Sequence, residues 1–149
     1  MPKSTKVLPI LVADDDPDDR LLIQSAFEEG NIGNPLIFVE DGEELLDYLC
    51  HQGRFALQHD VVLPGIILLD LNMPRKNGRQ VLRELKSNPE FRRIPIIILT
   101  TSALPDDIAE CYEAGANGFI CKPATFEKLT EALKIVEQYW FNVVVLSPS

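Results

Sequence analysis

Four places in this chain carry side chains able to do chemistry on a phosphoryl group or a metal ion. They are the pair Asp14-Asp15, then Asp70, Thr100 and Lys122, and each closes a run of apolar residues. Asp70 is the sharpest case. Ile66-Ile67-Leu68-Leu69 reads as a strand buried on both faces. Such a strand should end in something inert, yet it ends in a carboxylate, and Pro74 soon after cannot donate to a continuing ladder. A solvated loop acid or a helix cap is the ordinary account of such an Asp; the other three strand ends argue against it here. Crowded carboxylates repel, so either some pKa values rise or a cation binds among them. No His or Cys lies in these loops, which leaves a hard, oxygen-ligated metal. Mg²⁺ suits best, because it keeps several waters and accepts a phosphate oxygen. A carboxylate beside Mg²⁺ can attack phosphorus and form an aspartyl phosphate. That transfer needs mainly positioning and neutralisation of the equatorial oxygens. Thr100 offers a hydroxyl, though β-propensity alone accounts for a Thr at this point. Lys122 offers a cation, and Pro123 keeps it from being a casual strand residue.

Positioning these groups requires strands whose ends lie side by side. Val7 to Ala13 reads as a first strand, with Pro9 as an irregularity. Asp16 and Pro17 then suit the N-cap and first position of a helix that carries Leu21, Leu22, Ala26 and Phe27 and stops at Gly30. Leu36 to Val39 forms a second strand, and Asp41-Gly42 opens a helix with the stripe Leu45, Leu46, Tyr48 and Leu49. Residues 51–63 make a longer connection, expected on the surface and mobile. The Asp70 strand leads through Asn77-Gly78 to a third helix with Val81, Leu82 and Leu85. Ile96 to Thr100 is a fourth strand. Pro105 starts a fourth helix that ends at Ala114-Gly115. Gly118 to Cys121 is a fifth strand, and Thr125 caps a last helix with Phe126, Leu129, Leu133 and Val136 inward. Five strands alternating with five helices predict an α/β fold, a doubly wound parallel sheet of order 2-1-3-4-5. Its switch point lies between strands 1 and 3, where ligands bind outside the carboxyl ends. Asp14-Asp15 and Asp70 meet there.

The bulk properties agree. A chain of 149 residues makes one domain with its own core. A net charge of −9, from 23 acidic and 14 basic residues, argues against nucleic acid as a direct partner. Three cysteines at no metal or redox spacing fit reduced thiols and a cytoplasmic setting. Cys111 and Cys121 read as small residues of apolar surroundings. No signal peptide is visible and no apolar run is long enough to span a membrane.

With Asp14-Asp15, Asp70 in Leu-Asp-Leu-Asn-Met-Pro, Thr100 in Leu-Thr-Thr-Ser-Ala and Lys122-Pro123 after Gly-Phe-Ile-Cys, residues 7–138 resemble the response-regulator receiver domains of two-component signalling. The resemblance implies that Asp70 accepts a phosphoryl group from the phosphohistidine of a sensor histidine kinase. It implies that Asp15, Asp70 and the Asn72 backbone carbonyl bind Mg²⁺ directly, with Asp14 acting largely through water. Thr100 and Lys122 would contact the phosphoryl oxygens, and the Lys122-Pro123 bond would be cis. Such a protein is a phosphoacceptor with at most self-phosphorylation and self-dephosphorylation, not a turnover enzyme. Asp16 is left out of the ligand set in favour of its capping role. Phe119 stands at the aromatic switch position without a Tyr hydroxyl, and plain core remains an equal account of it. The 51–63 connection, Asn-Met-Pro-Arg-Lys-Asn-Gly and the apolar tail are further similar to stand-alone receivers that partner cyanobacterial phytochromes.

Other readings lose on particular residues. Phosphatases with an aspartyl intermediate generally place an acid two residues after the nucleophile, where this chain has Asn72. A flavin carrier needs a phosphate-cradling loop at strand 1, where three acids would repel phosphate. A dimeric binding module of this fold that never uses the site would leave the full acceptor set unexplained. Residues 139–149 form an apolar extension with no output domain after it, so output is expected to pass through a partner. Tyr139-Trp140-Phe141 and the aliphatics behind them either fold back over the last helix or join two copies into a homodimer through that helix and tail. Trp140 and Phe141 are the expected anchors of such a contact.

Overall fold

The computed structural model describes residues 8–58, 62–101 and 104–147. In chain order the elements are β1 (Ile10–Ala13), α1 (Pro17–Glu29), β2 (Leu36–Val39), α2 (Gly42–Cys50), β3 (Ile66–Leu69), α3 (Gly78–Ser87), β4 (Ile96–Thr100), α4 (Pro105–Glu113), β5 (Gly118–Cys121) and α5 (Phe126–Glu137). A 3₁₀ turn at Gly53–Phe55 and a π-helical turn at Gln138–Val143 complete the list. All pairings are parallel and the sheet order is β2-β1-β3-β4-β5, as the sequence predicts.

Strand side chains alternate between faces, and the core divides accordingly. Leu11, Ala13, Ile67, Leu69, Ile96 and Ile98 face α2 and α3, with Cys111 of α4. Ile10, Val12, Ile66, Leu68, Ile97 and Leu99 face Ile23, Ala26 and Phe27 of α1 and Leu129, Leu133 and Val136 of α5. The three inner strands are buried along their whole length, so every chemically active residue at their ends sits on a rigid support. Helix starts are set by single side chains. Asp16, Asp41, Asn77 and Thr125 each accept a backbone N–H from the first turn of the helix that follows. Asn77 and Gln80 close a reciprocal capping box.

The structure corrects several expectations. The first strand begins at Ile10, not Val7, which lies outside the described residues. The 51–63 connection is only partly a surface loop. Phe55 is buried in the core with its ring edge-on to Tyr48, centroids 5.0 Å apart, and the Tyr48 hydroxyl donates to the Val62 carbonyl at 2.8 Å. Residues 59–61 lie outside the described residues. Leu21 and Leu22 of α1 face solvent, because the helical period turns Ile23, Ala26 and Phe27 inward instead. Cys111 is buried, but Cys121 is exposed, since β5 is an edge strand and Cys121 is its last residue.

The chain after α5 folds back on its own protomer. Trp140 and Phe141 pack against the α1/α5 side of the core. Phe141 packs on Gly65, where a Cβ would stand 2.8 Å from the ring Cζ, so a side chain there would displace this contact. Trp140 and Phe141 are therefore engaged within one chain, and the apolar groups left outward are Tyr139, Val143 and Val145, the last two 71% and 93% exposed. Among the described residues no helix is long and apolar enough to cross a membrane.

Candidate functional site

Parallel register brings the strand ends level. Ala13 of β1 pairs with Leu69 of β3, and Thr100 of β4 with Cys121 of β5. The backbone N–H of Asp70 donates to the Ala13 carbonyl at 3.0 Å, that of Asp14 to Val39 at 3.0 Å, and that of Lys122 to Thr100 at 2.8 Å. These bonds extend the ladder one residue past the strands and fix the four chain segments from which the acidic, hydroxyl and ammonium groups project.

Asp14, Asp15, Asp70, Asn72, Thr100 and Lys122 converge. Thr100 Oγ1 donates to Asp70 Oδ1 at 2.9 Å, and the Asn72 N–H reaches the same oxygen at 3.2 Å. Lys122 Nζ takes the other oxygen, Oδ2, at 3.0 Å, and also Asp14 Oδ2 and Asp19 Oδ2 at 2.7 Å each. Asp14 is 2% and Asp70 7% exposed, Thr100 is fully buried, and Asp15 faces solvent. Asp14, Asp15 and Asp70 each hold a carboxylate oxygen within 4.8 Å of the other two. An oxygen-only set with one open, exposed member fits a hard divalent cation that retains water. Asp16 has its cap role, accepting the Asp18 N–H at 2.9 Å.

The electrostatics follow from burial against pairing. Burial pushes the Asp14 carboxyl above the usual range, and Lys122 only partly offsets that. Burial opposes the charge on Lys122, but hydrogen bonds to Asp14, Asp19 and Asp70 outweigh it and hold the ammonium above the ordinary lysine range.

Three groups lay beyond the sequence reading. Asp19, in the first turn of α1, joins Lys122, and the Arg20 guanidinium donates to the Asp14 carbonyl at 2.7 Å. Their only sequence signal is position, directly after the acidic loop. Arg75 is the third. It holds a left-handed backbone at φ 62°, donates through Nε to the buried Asp41 at 2.7 Å, and makes a second contact through Nη2. Since the Gly42 N–H also donates to the Lys76 carbonyl at 3.1 Å, the loop from Asp70 to Asn77 is pinned to the start of α2. Burial raises the Asp41 carboxyl, but hydrogen bonds from the Glu44 N–H and Arg75 prevail and hold it below the usual range. Phe119 is half-buried against the α2/α3 side of the core. The Lys122-Pro123 bond is trans, like every peptide bond among the described residues; trans is the lower-energy isomer even before proline.

Comparisons agree with this geometry. The sequence matches the family "Response regulator receiver domain" over residues 10–146. It is 36% identical to response regulator Rcp1 of Synechocystis sp. over 137 residues, covering 92% of this chain and 91% of that protein. A Mn²⁺-bound crystal structure of Rcp1 superposes with a TM-score of 0.83 at 35% identity, covering 94% of this chain and 99% of that one. The phosphorylated cyanobacterial phytochrome response regulator RcpA gives 0.86 at 37% identity, covering 97% and 100%. Response regulator RPA3017 in red light signaling of R. palustris gives 0.88 at 37% identity, covering 95% and 100%.

Proposed function

Because this chain belongs to the response regulator receiver domains of two-component systems, we propose that Asp70 is the residue that takes the phosphoryl group from a sensor histidine kinase. The observation that carries this reading is the meeting of the Asp70 carboxylate with Asp14, Asp15, Thr100 and Lys122 at the switch point of the sheet. A carboxylate oxygen of Asp70 forms the new O–P bond as the N–P bond of the phosphohistidine breaks and its electron pair returns to the imidazole. Asp14, Asp15, Asp70 and the Asn72 carbonyl would hold Mg²⁺. Bound there, it supplies charge neutralisation for the phosphoryl oxygens. Lys122 adds a cation on the Asp70 side, and Thr100, now hydrogen-bonded to Asp70, can turn its hydroxyl to a phosphoryl oxygen and carry its loop along. Hydrolysis of the acyl phosphate by water at the same site would be the only turnover.

Residues 7–138 form the signalling unit in this reading, and the kinase is a phytochrome-type sensor in the cytoplasm, by likeness to RcpA. Residues 139–149 form a separate extension. A two-fold contact through α5 and this extension would use the outward Ile135, Tyr139, Val143 and Val145. The deciding experiment is labelled transfer from a phosphohistidine donor with Mg²⁺. The native chain should take up acid-stable label that Asp70→Asn does not. Label retained in that variant overturns the assignment.

A further inference from the structure

Lys122 has three N–H donors and three carboxylate partners, and the partners are not equivalent. Asp14 and Asp70 also belong to the trio whose oxygens lie within 4.8 Å of one another; Asp19 does not. A divalent cation among the trio would draw on the Asp14 and Asp70 carboxylates, each of which already gives one oxygen to the ammonium. The two cations compete for them, and their like charges repel. Asp19 lies outside the trio, on the first turn of α1, with its side chain 30% exposed and a contact of 2.7 Å to the ammonium. That is as short as the Asp14 contact and shorter than the 3.0 Å to Asp70.

From this arrangement we infer that Asp19 is a positioning residue: it keeps part of the Lys122 ammonium to itself and so leaves Asp14 and Asp70 able to accept a divalent cation. The inference rests on the proposed role of those acids as the metal site. Without Asp19, the ammonium has only Asp14 and Asp70 to pair with and settles between them. The resting site then resists the cation that the phosphoryl transfer needs.

Mere loss of a negative charge would also weaken cation binding, and Asp18 separates the two effects. It is the adjacent acid on the same turn, it is exposed, and its side chain is outside the Lys122 cluster. Its charge is screened by solvent over a Debye length of about 8–10 Å.

Mg²⁺ titration of the full chain by calorimetry, without any phosphodonor, tests the inference. Asp19→Asn should weaken Mg²⁺ binding roughly tenfold, or about 1.4 kcal/mol. Asp18→Asn should change it about twofold or less, and Asp19→Glu should restore most of the loss. In a Lys122→Met background the Asp19→Asn effect should shrink to that of Asp18→Asn, because the coupling runs through the ammonium. Asp19→Ser, a second neutral variant, should repeat the loss. Equal effects of Asp18→Asn and Asp19→Asn overturn the inference, as does an undiminished Asp19→Asn effect in the Lys122→Met background. A native chain that binds no Mg²⁺ overturns the reading of the acids themselves, and this inference with it.

Discussion

Replacing Lys122 with Met removes one cation from among three carboxylates while keeping the aliphatic stem. The side chain of Lys122 is 12% exposed, and Asp14 and Asp70 beside it are nearly buried. Breaking a buried pair by deleting one partner costs about 3–5 kcal/mol. The Asp19 side chain is 30% exposed, and solvent screening there discounts the cost to just below that range, about 2–3 kcal/mol without metal. For a domain of this size each kcal/mol moves Tm by about 2–4 °C, which gives a loss of roughly 5–10 °C. The sign of the pH dependence follows from Asp14. Its folded pKa is already raised by burial, and without Lys122 it loses the hydrogen bond that held it down. An acid whose folded pKa exceeds its unfolded value penalises the fold above that pKa, and the penalty is relieved as pH falls through it. The gap between variant and native should therefore narrow as pH is lowered from neutrality towards the ordinary carboxylate range. Mg²⁺ should stabilise the variant more than the native chain, because the ammonium no longer competes. Scanning calorimetry at several pH values, with and without Mg²⁺, reads all three. A loss of under about 2 °C at neutral pH without metal, or a gap that widens on acidification, refutes the reasoning.

Thr100→Ala should still take label on Asp70 but show smaller phosphorylation-dependent amide shifts at Thr101, Leu104 and in α4; shifts equal to those of the native chain would place the switch elsewhere. Asp41→Ala removes the α2 cap and should cost about 1–2 kcal/mol in a chemical melt. Because the folded Asp41 pKa is lowered, its stabilisation is present above the unfolded value of 3.8 and lost as pH falls through the folded one, so the variant's stability curve should be flatter in that acid limb. Phe141→Ala should cost about 2 kcal/mol, roughly half of what a fully buried Phe costs, without changing the sedimentation coefficient. Val143→Glu should leave the melt unchanged and give a monomer; a persisting dimer excludes the tail as its cause.

What could be read in the sequence was whatever is decided locally or by burial of a whole run. Ile66 to Leu69 and Ile96 to Thr100 are inner strands because nothing polar interrupts them, and the caps Asp16, Asp41, Asn77 and Thr125 act within their own turn. Convergence of Asp14, Asp70, Thr100 and Lys122 then followed from strand order alone. Groups set by tertiary approach were hidden. Asp19 meets Lys122 across 103 positions, and Arg75 meets Asp41 across 34. Phe55 lies in a segment without period, and its burial depends on Tyr48 arriving from α2. The sequence leaves the tail open between fold-back and dimer contact, because apolar composition shows that a surface will be covered, not which chain covers it; Trp140 and Phe141 are covered by their own chain.

The fold-back of the tail has a spectroscopic consequence. Trp140 is the single tryptophan, and its neighbour Phe141 lies on Gly65, at the amino end of β3, while Asp70 closes the other end. Five residue steps of extended chain lead from Gly65 to Asp70, about 16 Å at 3.3 Å per residue. Neither a metal ion nor a phosphoryl group at Asp70 can quench this indole by contact. Any change in its emission when the site is loaded must have travelled through the sheet or α5, which makes the native fluorophore a reporter of end-to-end coupling, free of the local artefact that a tryptophan beside the carboxylates would introduce.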